Sequence, residues 1–185
     1  MFVYARVGKL RHRDFLLGLY HFRGDEKVLD VGTGAGLLAV GAAKKVPDGK
    51  VIGIDIWNVD DLSNNSKARA VENVQIEGVA RRVEVLREDA RKLSFPDQSF
   101  DLVVSNLCLH NIEEEKGREE ACLEIARVLK TGGVALISDF SRTAEYQKIF
   151  QKAGLLVDKK RSPWFKTLAF PPMTILRAQK APAVS

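Results

Sequence analysis

The stretch Val28-Leu29-Asp30-Val31-Gly32-Thr33-Gly34-Ala35-Gly36 constrains this chain more than any other part of it. A short buried-strand pattern runs straight into three alternating glycines, and an apolar helical run, Leu37 to Lys45, follows at once. A chain that leaves a strand and enters a helix so abruptly needs backbone angles closed to residues with a Cβ, and glycine supplies them. Three alternating glycines exceed what a tight turn requires and let a ligand approach the backbone closely. Strand–turn–helix units of this kind build open, mostly parallel sheets, whose ligands sit outside the carboxyl ends of the strands.

The remainder of the chain keeps the alternation. Val51 to Ile54, Val83 to Arg87, Leu102 to Ser105 and Val134 to Ile137 read as further buried strands. Helical spacing appears over Leu10 to Phe22, again up to Glu77 with Gly78 as its left-handed cap, and around Cys122, Ile125, Ala126 and Leu129. Thr131-Gly132-Gly133 is expected to end the third of these helices, and a fourth runs from about Thr143 to Gly154. Two strand-like pieces close the chain, Leu155 to Lys159 and Thr174 to Ala178, with Pro163, Pro171 and Pro172 making their connection irregular. Asn58 to Ser66 is polar and reads as a loop. With no repeat and no linker, residues 1–185 read as one domain, in which 1–25 is an N-terminal helical segment and 155–180 a C-terminal strand pair. The fold class is α/β, a doubly wound and mostly parallel sheet.

Composition excludes several classes. Apolar residues make up 45% and charged residues 29%, the balance of a globular protein. No apolar run approaches the roughly 18–20 residues of a membrane span, and the N-terminus shows no signal-peptide pattern. Two cysteines, Cys108 and Cys122, build no disulfide framework and read as small buried groups in a reducing, cytoplasmic setting. The net charge of +5 is too dispersed to argue for nucleic acid. Its densest group, Arg6, Lys9, Arg11 and Arg13, reads as a solvated helix face. No metal site is expected.

Asp55 ends the second strand in Gly53-Ile54-Asp55-Ile56. A carboxylate there can accept hydrogen bonds from both hydroxyls of a ribose. The glycine spacing is G-x-G-x-G rather than the G-x-G-x-x-G of dinucleotide sites, and Asp30 precedes it. A carboxylate beside the loop is awkward for a pyrophosphate and suits a ligand with an amino group and a sulfonium.

These segments resemble the class I S-adenosylmethionine-dependent methyltransferases. Val28 to Gly36 looks like their first motif, and Asp89 to Asp101 resembles the adenine-side loop of the ubiquinone/menaquinone-methyltransferase-like group. Ser105 to His110 resembles the end of that group's fourth strand, and Glu124 to Gly133 its helix and Gly-Gly turn. The resemblance spans about Glu26 to Asp139 and implies seven strands, the last antiparallel. It implies that Asp30 and the backbone of Gly32, Thr33, Gly34 and Gly36 hold the methionine end of S-adenosylmethionine. Asp55 would take the ribose, and Ile56 or Trp57 would cover the adenine. Asp89 would accept from the adenine amino group with the Ala90 amide nearby, and Asn106 would lie near the methionine moiety.

The acceptor is far less defined. His110 is the candidate general base; the plainer expectation for it is a helix-start histidine bonded to backbone. His12, Tyr20 and His21 are assigned to the first helix, which could flank the pocket. No Pro-Pro follows Asn106, against amino methylation of adenine or glutamine, and two cysteines are too few for arsenite methylation. Asp60, Asp61, Asn64 and Asn65 are expected to cap the following helix or form a flap. Met1-Phe2-Val3-Tyr4 is expected to pack on the sheet edge, and a membrane or lipid acceptor stays open. The leading expectation is methyl transfer to a small molecule. The alternatives are a non-catalytic S-adenosylmethionine-binding module and a nicotinamide-dependent oxidoreductase.

Overall fold

The computed structural model describes residues 8–57, 66–163 and 173–181. The expectations for Met1 to Tyr4, Arg6, the loop with Asp60, Asp61, Asn64 and Asn65, and Pro171-Pro172 lie outside these residues.

Seven strands form one sheet: β1 Lys27–Val31, β2 Lys50–Asp55, β3 Val83–Arg87, β4 Phe100–Asn106, β5 Leu129–Asp139, β6 Leu155–Arg161 and β7 Thr174–Lys180. Their order is β3-β2-β1-β4-β5-β7-β6. The first five pair in parallel, and β7 runs antiparallel to both its neighbours. Among the described residues five α-helices flank them: α1 Lys9–Leu17, α2 Leu37–Ala43, α3 Lys67–Ile76, α4 Glu115–Val128 and α5 Thr143–Lys152.

Strand side chains alternate between faces, and here both faces are apolar. Leu29, Val31, Val103, Ala135 and Ile137 pack with α4 and α5, through Cys122, Ile125, Tyr146 and Phe150. Val28, Leu102, Val104, Val134 and Leu136 pack on the other face with α1, α2 and α3, through Leu16, Leu17, Ala39, Val40 and Val74. The alternation also assigns each polar residue near the carboxyl edge to a side. Asp30, Asn106 and Ser138 share the parity of the α1–α2–α3 face, and Asp139 shares that of the α4–α5 face.

Two regions differ from expectation by more than about two residues. The first helix ends at Leu17, not near Phe22. Gly18 breaks it, and Leu19, Tyr20 and Phe22 reach the same core from an irregular segment, so their spacing imitates a helix. Tyr20 and His21 are therefore not helical. Further on, α4 stops at Val128, and Leu129 is already strand. Thr131-Gly132-Gly133 does not separate helix from strand but forms an irregularity within β5, where the register slips between Phe100 and Leu102. The amides of Gln98 and Ser99 bond the carbonyls of Arg127 and Val128, so the helix end is satisfied without a loop of its own. Among the described residues no helix is long and apolar enough to cross a membrane.

Candidate functional site

Strands β1 and β4 are neighbours, but the helices that follow them pack on opposite faces of the sheet. Their carboxyl ends therefore part, and a ligand crevice is expected at that point. A cavity of about 590 Å3 opens there, within the range of roughly 300–1,000 Å3 of small-molecule sites. It has two ends. One is lined by Val31, Gly32, Ile54, Asp55, Ile56, Glu88, Asp89 and Ala90, from β1, β2 and β3. The other is lined by Leu107, Cys108, His110, Asn111, Ile112 and Phe140 after β4 and β5, together with Lys9 of α1.

The glycine loop is fastened from beneath. The amides of Gly32 and Thr33 both bond the Ile54 carbonyl at 2.9 Å. Gly32 has φ +73°, and a Cβ there would stand 2.3 Å from Cys108 Sγ, so only glycine lets the β1 and β4 ends approach. Gly53 serves the loop from β2: a Cβ on it would lie 2.7 Å from Thr33 Oγ1. Asn73 Nδ2 of α3 donates to the Ala35 carbonyl at 2.8 Å.

Asp30 does not line the cavity. It is 1% exposed and turned under the loop, where its Oδ2 accepts from Thr33 Oγ1 at 2.7 Å and from the Ala39 amide at 2.9 Å. Its Oδ1 is buried without a hydrogen-bond partner among the described residues. Burial pushes its carboxyl up to about 7, against the two hydrogen bonds. Asp55 does reach the cavity. The Gly34 amide donates to its Oδ2 and the Trp57 amide to its Oδ1, both at 2.9 Å, which fixes the carboxylate and leaves its other lone pairs outward. Trp57 (φ +43°) donates its indole N–H to the Gly34 carbonyl at 3.1 Å and packs on the α1–α2–α3 core. Ile56 is 45% exposed at the cavity wall, so it rather than Trp57 borders the space.

Asp89 and Ala90 line the same end, but both Asp89 oxygens also engage Arg91, at 2.6 to 3.0 Å. That hydrogen bonding holds the Asp89 carboxyl below the usual carboxylate range. An exposed pair of this kind is worth little and exchanges readily. Asn106 turns away from the cavity toward α1, its buried Oδ1 without a hydrogen-bond partner within bonding distance among the described residues. Beside it His12 bonds Ser138 Oγ at 2.8 Å. Burial pushes the His12 imidazole below its ordinary range, with Asn106 opposing.

Thus Gly32, Asp55, Ile56, Asp89, Ala90 and His110 meet around one space. Asp30, Thr33, Gly34, Gly36, Trp57 and Asn106 stand behind it. Sequence reasoning missed Glu88, Lys9 and Asp139. Glu88 and Asp139 each lie at the carboxyl end of a parallel strand, the position where this sheet type places ligand groups. Cys108, expected to be buried, is only partly so and borders the cavity, where desolvation pushes its thiol up. Among the described residues no cluster of three or more His, Cys, Asp or Glu could hold a metal ion.

Residues 28–133 match the methyltransferase domain family. The chain is 35% identical to the ubiquinone/menaquinone biosynthesis C-methyltransferase UbiE of Pseudomonas putida strain W619, over 140 residues covering 75% of this chain and 50% of that protein. It spans about half the length of the curated relatives it matches. In solved structures the fold is similar to a SAM-dependent methyltransferase from Aquifex aeolicus, with a TM-score of 0.71, 24% identity, and 92% and 90% of the two chains covered. It is also similar to the cyclase SpnF, with a TM-score of 0.76, 19% identity, and 94% and 81% covered.

Proposed function

The chain belongs to the methyltransferase domain family, and from that premise we propose that it binds S-adenosylmethionine at the glycine-loop end of the cavity and passes the methyl group to a small molecule at the other end. The carrying observation is the charge of the first end. Asp55, Glu88 and Asp89 line it, and Asp30 lies just behind the loop. Three carboxylates repel a pyrophosphate and suit a cationic ligand rich in hydroxyl and amino groups. This disfavours a nicotinamide dinucleotide on electrostatic grounds as well as on glycine spacing.

When bound, the cofactor supplies a sulfonium-activated methyl group. The chain's own residues bind and orient. Asp55 accepts from the ribose hydroxyls, Ile56 covers the adenine, and Asp89, released from Arg91, accepts from its amino group beside the Ala90 amide. Gly32 leaves backbone open to the methionine end, and Thr33, Gly34 and Gly36 hold the turn behind it. Asp30, whose carboxyl is pushed up to about 7 by burial, holds the loop's shape, and an ammonium group close by would favour its ionised form. Displacement at the methyl carbon then depends on alignment of donor and acceptor.

The acceptor end is walled by Leu107, Cys108, Ile112 and Phe140, which favours an apolar acceptor, in line with the quinone pathways for which the UbiE relatives are named. A cytoplasmic setting with an acceptor drawn from solution or from a membrane surface follows from this reading. One fold neighbour, SpnF, is named a cyclase, and a fold does not dictate its chemistry. The alternative is therefore a module that binds S-adenosylmethionine without methyl transfer. Incubation with tritium-labelled S-adenosylmethionine and a panel of apolar acceptors separates the two. Label in product is expected; saturable binding with no product across the panel would favour the module, and no binding would remove both.

A further inference from the structure

At the acceptor end stands a pair that the cofactor does not need. His110 Nδ1 lies 2.9 Å from Asp139 Oδ1 and 3.1 Å from Oδ2. Asp139 is fully buried, and its carboxylate also accepts from the Phe140 amide at 2.8 Å and the His110 amide at 3.3 Å. A carboxylate only accepts, so in the neutral imidazole Nδ1 carries the proton and the lone pair sits on Nε2. Among the described residues Nε2 has no hydrogen-bond partner, and His110 lines the cavity.

The support around the pair is rigid. His110 rides on a single 3₁₀ turn, Leu109–Asn111, and the Phe140 ring packs on the imidazole at 4.5 Å. Just beyond the turn, buried Arg118 clamps the Ile112 and Glu113 carbonyls at 2.8 and 2.6 Å while paired to Glu145 of α5. The turn leaves β4 through Leu107 at φ +56°, held by a 2.9 Å bond from its amide to the Ser138 carbonyl. A left-handed leucine at a ligand crevice is the kind of backbone cost that surrounding structure must impose.

We propose that His110 is the general base of the reaction and Asp139 its positioning residue, and that the acceptor is a group that must lose a proton, such as a hydroxyl or an N–H. This rests on the methyl-transfer reading above. The acceptor's X–H bond breaks and its proton passes to Nε2. The electron pair so freed forms the bond to the methyl carbon, and the carbon–sulfur pair departs with sulfur as a neutral thioether. Asp139 stabilises the imidazolium formed and fixes the tautomer that can take the proton. The proton then leaves to solvent through the open cavity. An acceptor with no proton to lose, such as a thioether or a tertiary amine, would have no use for this pair.

The test uses wild type, His110→Ala and Asp139→Asn, each checked for S-adenosylhomocysteine affinity and thermal unfolding. Transfer is measured to phenols and primary amines of graded acidity. His110→Ala should bind S-adenosylhomocysteine as wild type does and lose about 100-fold or more in kcat. The loss should be largest for the least acidic acceptors, and added imidazole should restore part of it. Independently of turnover, nitrogen-15 NMR of the neutral ring should show the Nδ1–H tautomer in wild type and a mixture in Asp139→Asn. Failure of wild type to bind S-adenosylhomocysteine would overturn the underlying function. Binding with no transfer to any proton-bearing acceptor would overturn the acceptor class. A His110→Ala variant within about threefold of wild-type kcat, or an Nε2–H tautomer in wild type, would overturn the role of the pair while leaving the methyl transfer standing.

Discussion

The two ends of the cavity are built by different means. At the glycine-loop end, Glu88 to Ala90 after β3 apart, the parts are close in sequence: Asp30 bonds Thr33 and Ala39, and Asp55 bonds Gly34, 21 positions away. At the acceptor end they come from distant segments. His110 meets Asp139 across 29 positions, and behind that end His12 of α1 meets Ser138 across 126. The glycine loop and Asp55 belong to one strand–loop–helix–strand unit, β1–α2–β2, whose geometry is dictated locally. The acceptor end exists only once β4, β5 and α1 have docked, so it can be varied without disturbing the first. A fold that keeps one cofactor site while changing acceptors needs this division.

The sharpest way to break that contrast is Gly32→Val, because Gly32 is where the two ends touch. The added side chain meets Cys108 Sγ, and φ +73° is closed to a β-branched residue. We expect a stability loss of about 2–4 kcal/mol in denaturant unfolding and cofactor affinity lowered by more than 100-fold. A further Cys108→Gly change should recover part of the stability. No recovery would show that the ends are not in contact there.

The next effect belongs to the loop end alone. With a folded-state pKa raised from 3.8 to about 7, Asp30 keeps a proton in the folded chain that the unfolded chain releases between about pH 4 and 7. Folding stability contributed by this group is full below pH 4, falls as pH rises through that window, and is level above it. Asp30→Asn removes the titration while keeping the shape. Relative to the variant, wild type should lose on the order of a few kcal/mol between pH 4 and 7.5; parallel stability profiles would exclude a raised pKa.

Ser138→Ala probes the long-range end. It removes the partner of buried His12 Nε2 and should cost about 1–3 kcal/mol, with cofactor affinity unchanged within about twofold. A large loss of cofactor affinity would mean that the docking of α1 and the loop site are coupled. The smallest effect is expected from Arg91→Ala. The Asp89–Arg91 pair is exposed, with the two side chains 37% and 46% accessible, so its loss should cost under about 1 kcal/mol. Affinity should hold or rise slightly as Asp89 is freed; a marked fall would give Arg91 a direct role in binding.

The same division explains what could be read from the sequence. The glycine spacing, Asp55 at a strand end and the alternation of strands and helices are local patterns, and the strand Val83–Arg87 lies where its pattern puts it. The antiparallel β7 has only a weak local signal and followed from family resemblance. Which side of the sheet Asp30 and Asn106 face depends on strand parity and on what packs there, so both carboxyl and amide stand behind the cavity rather than in it. Asp139, beyond the strand expected over Val134 to Ile137, drew no reading because nothing near it in sequence names His110 as its partner. The early end of the first helix and the strand character of Leu129 were hidden for a tertiary reason: Tyr20, Phe22 and Leu129 reach the core without being helical.

Isothermal titration with S-adenosylmethionine and, separately, with NADH, on wild type and Asp55→Ala, decides which cofactor this cavity takes. One molecule of S-adenosylmethionine per chain should bind and NADH should not, and Asp55→Ala should weaken binding by about 2–3 kcal/mol, as when paired hydrogen bonds to a charged group are lost. NADH binding, absence of S-adenosylmethionine binding, or an Asp55→Ala variant with unchanged affinity would contradict the assignment of this cavity.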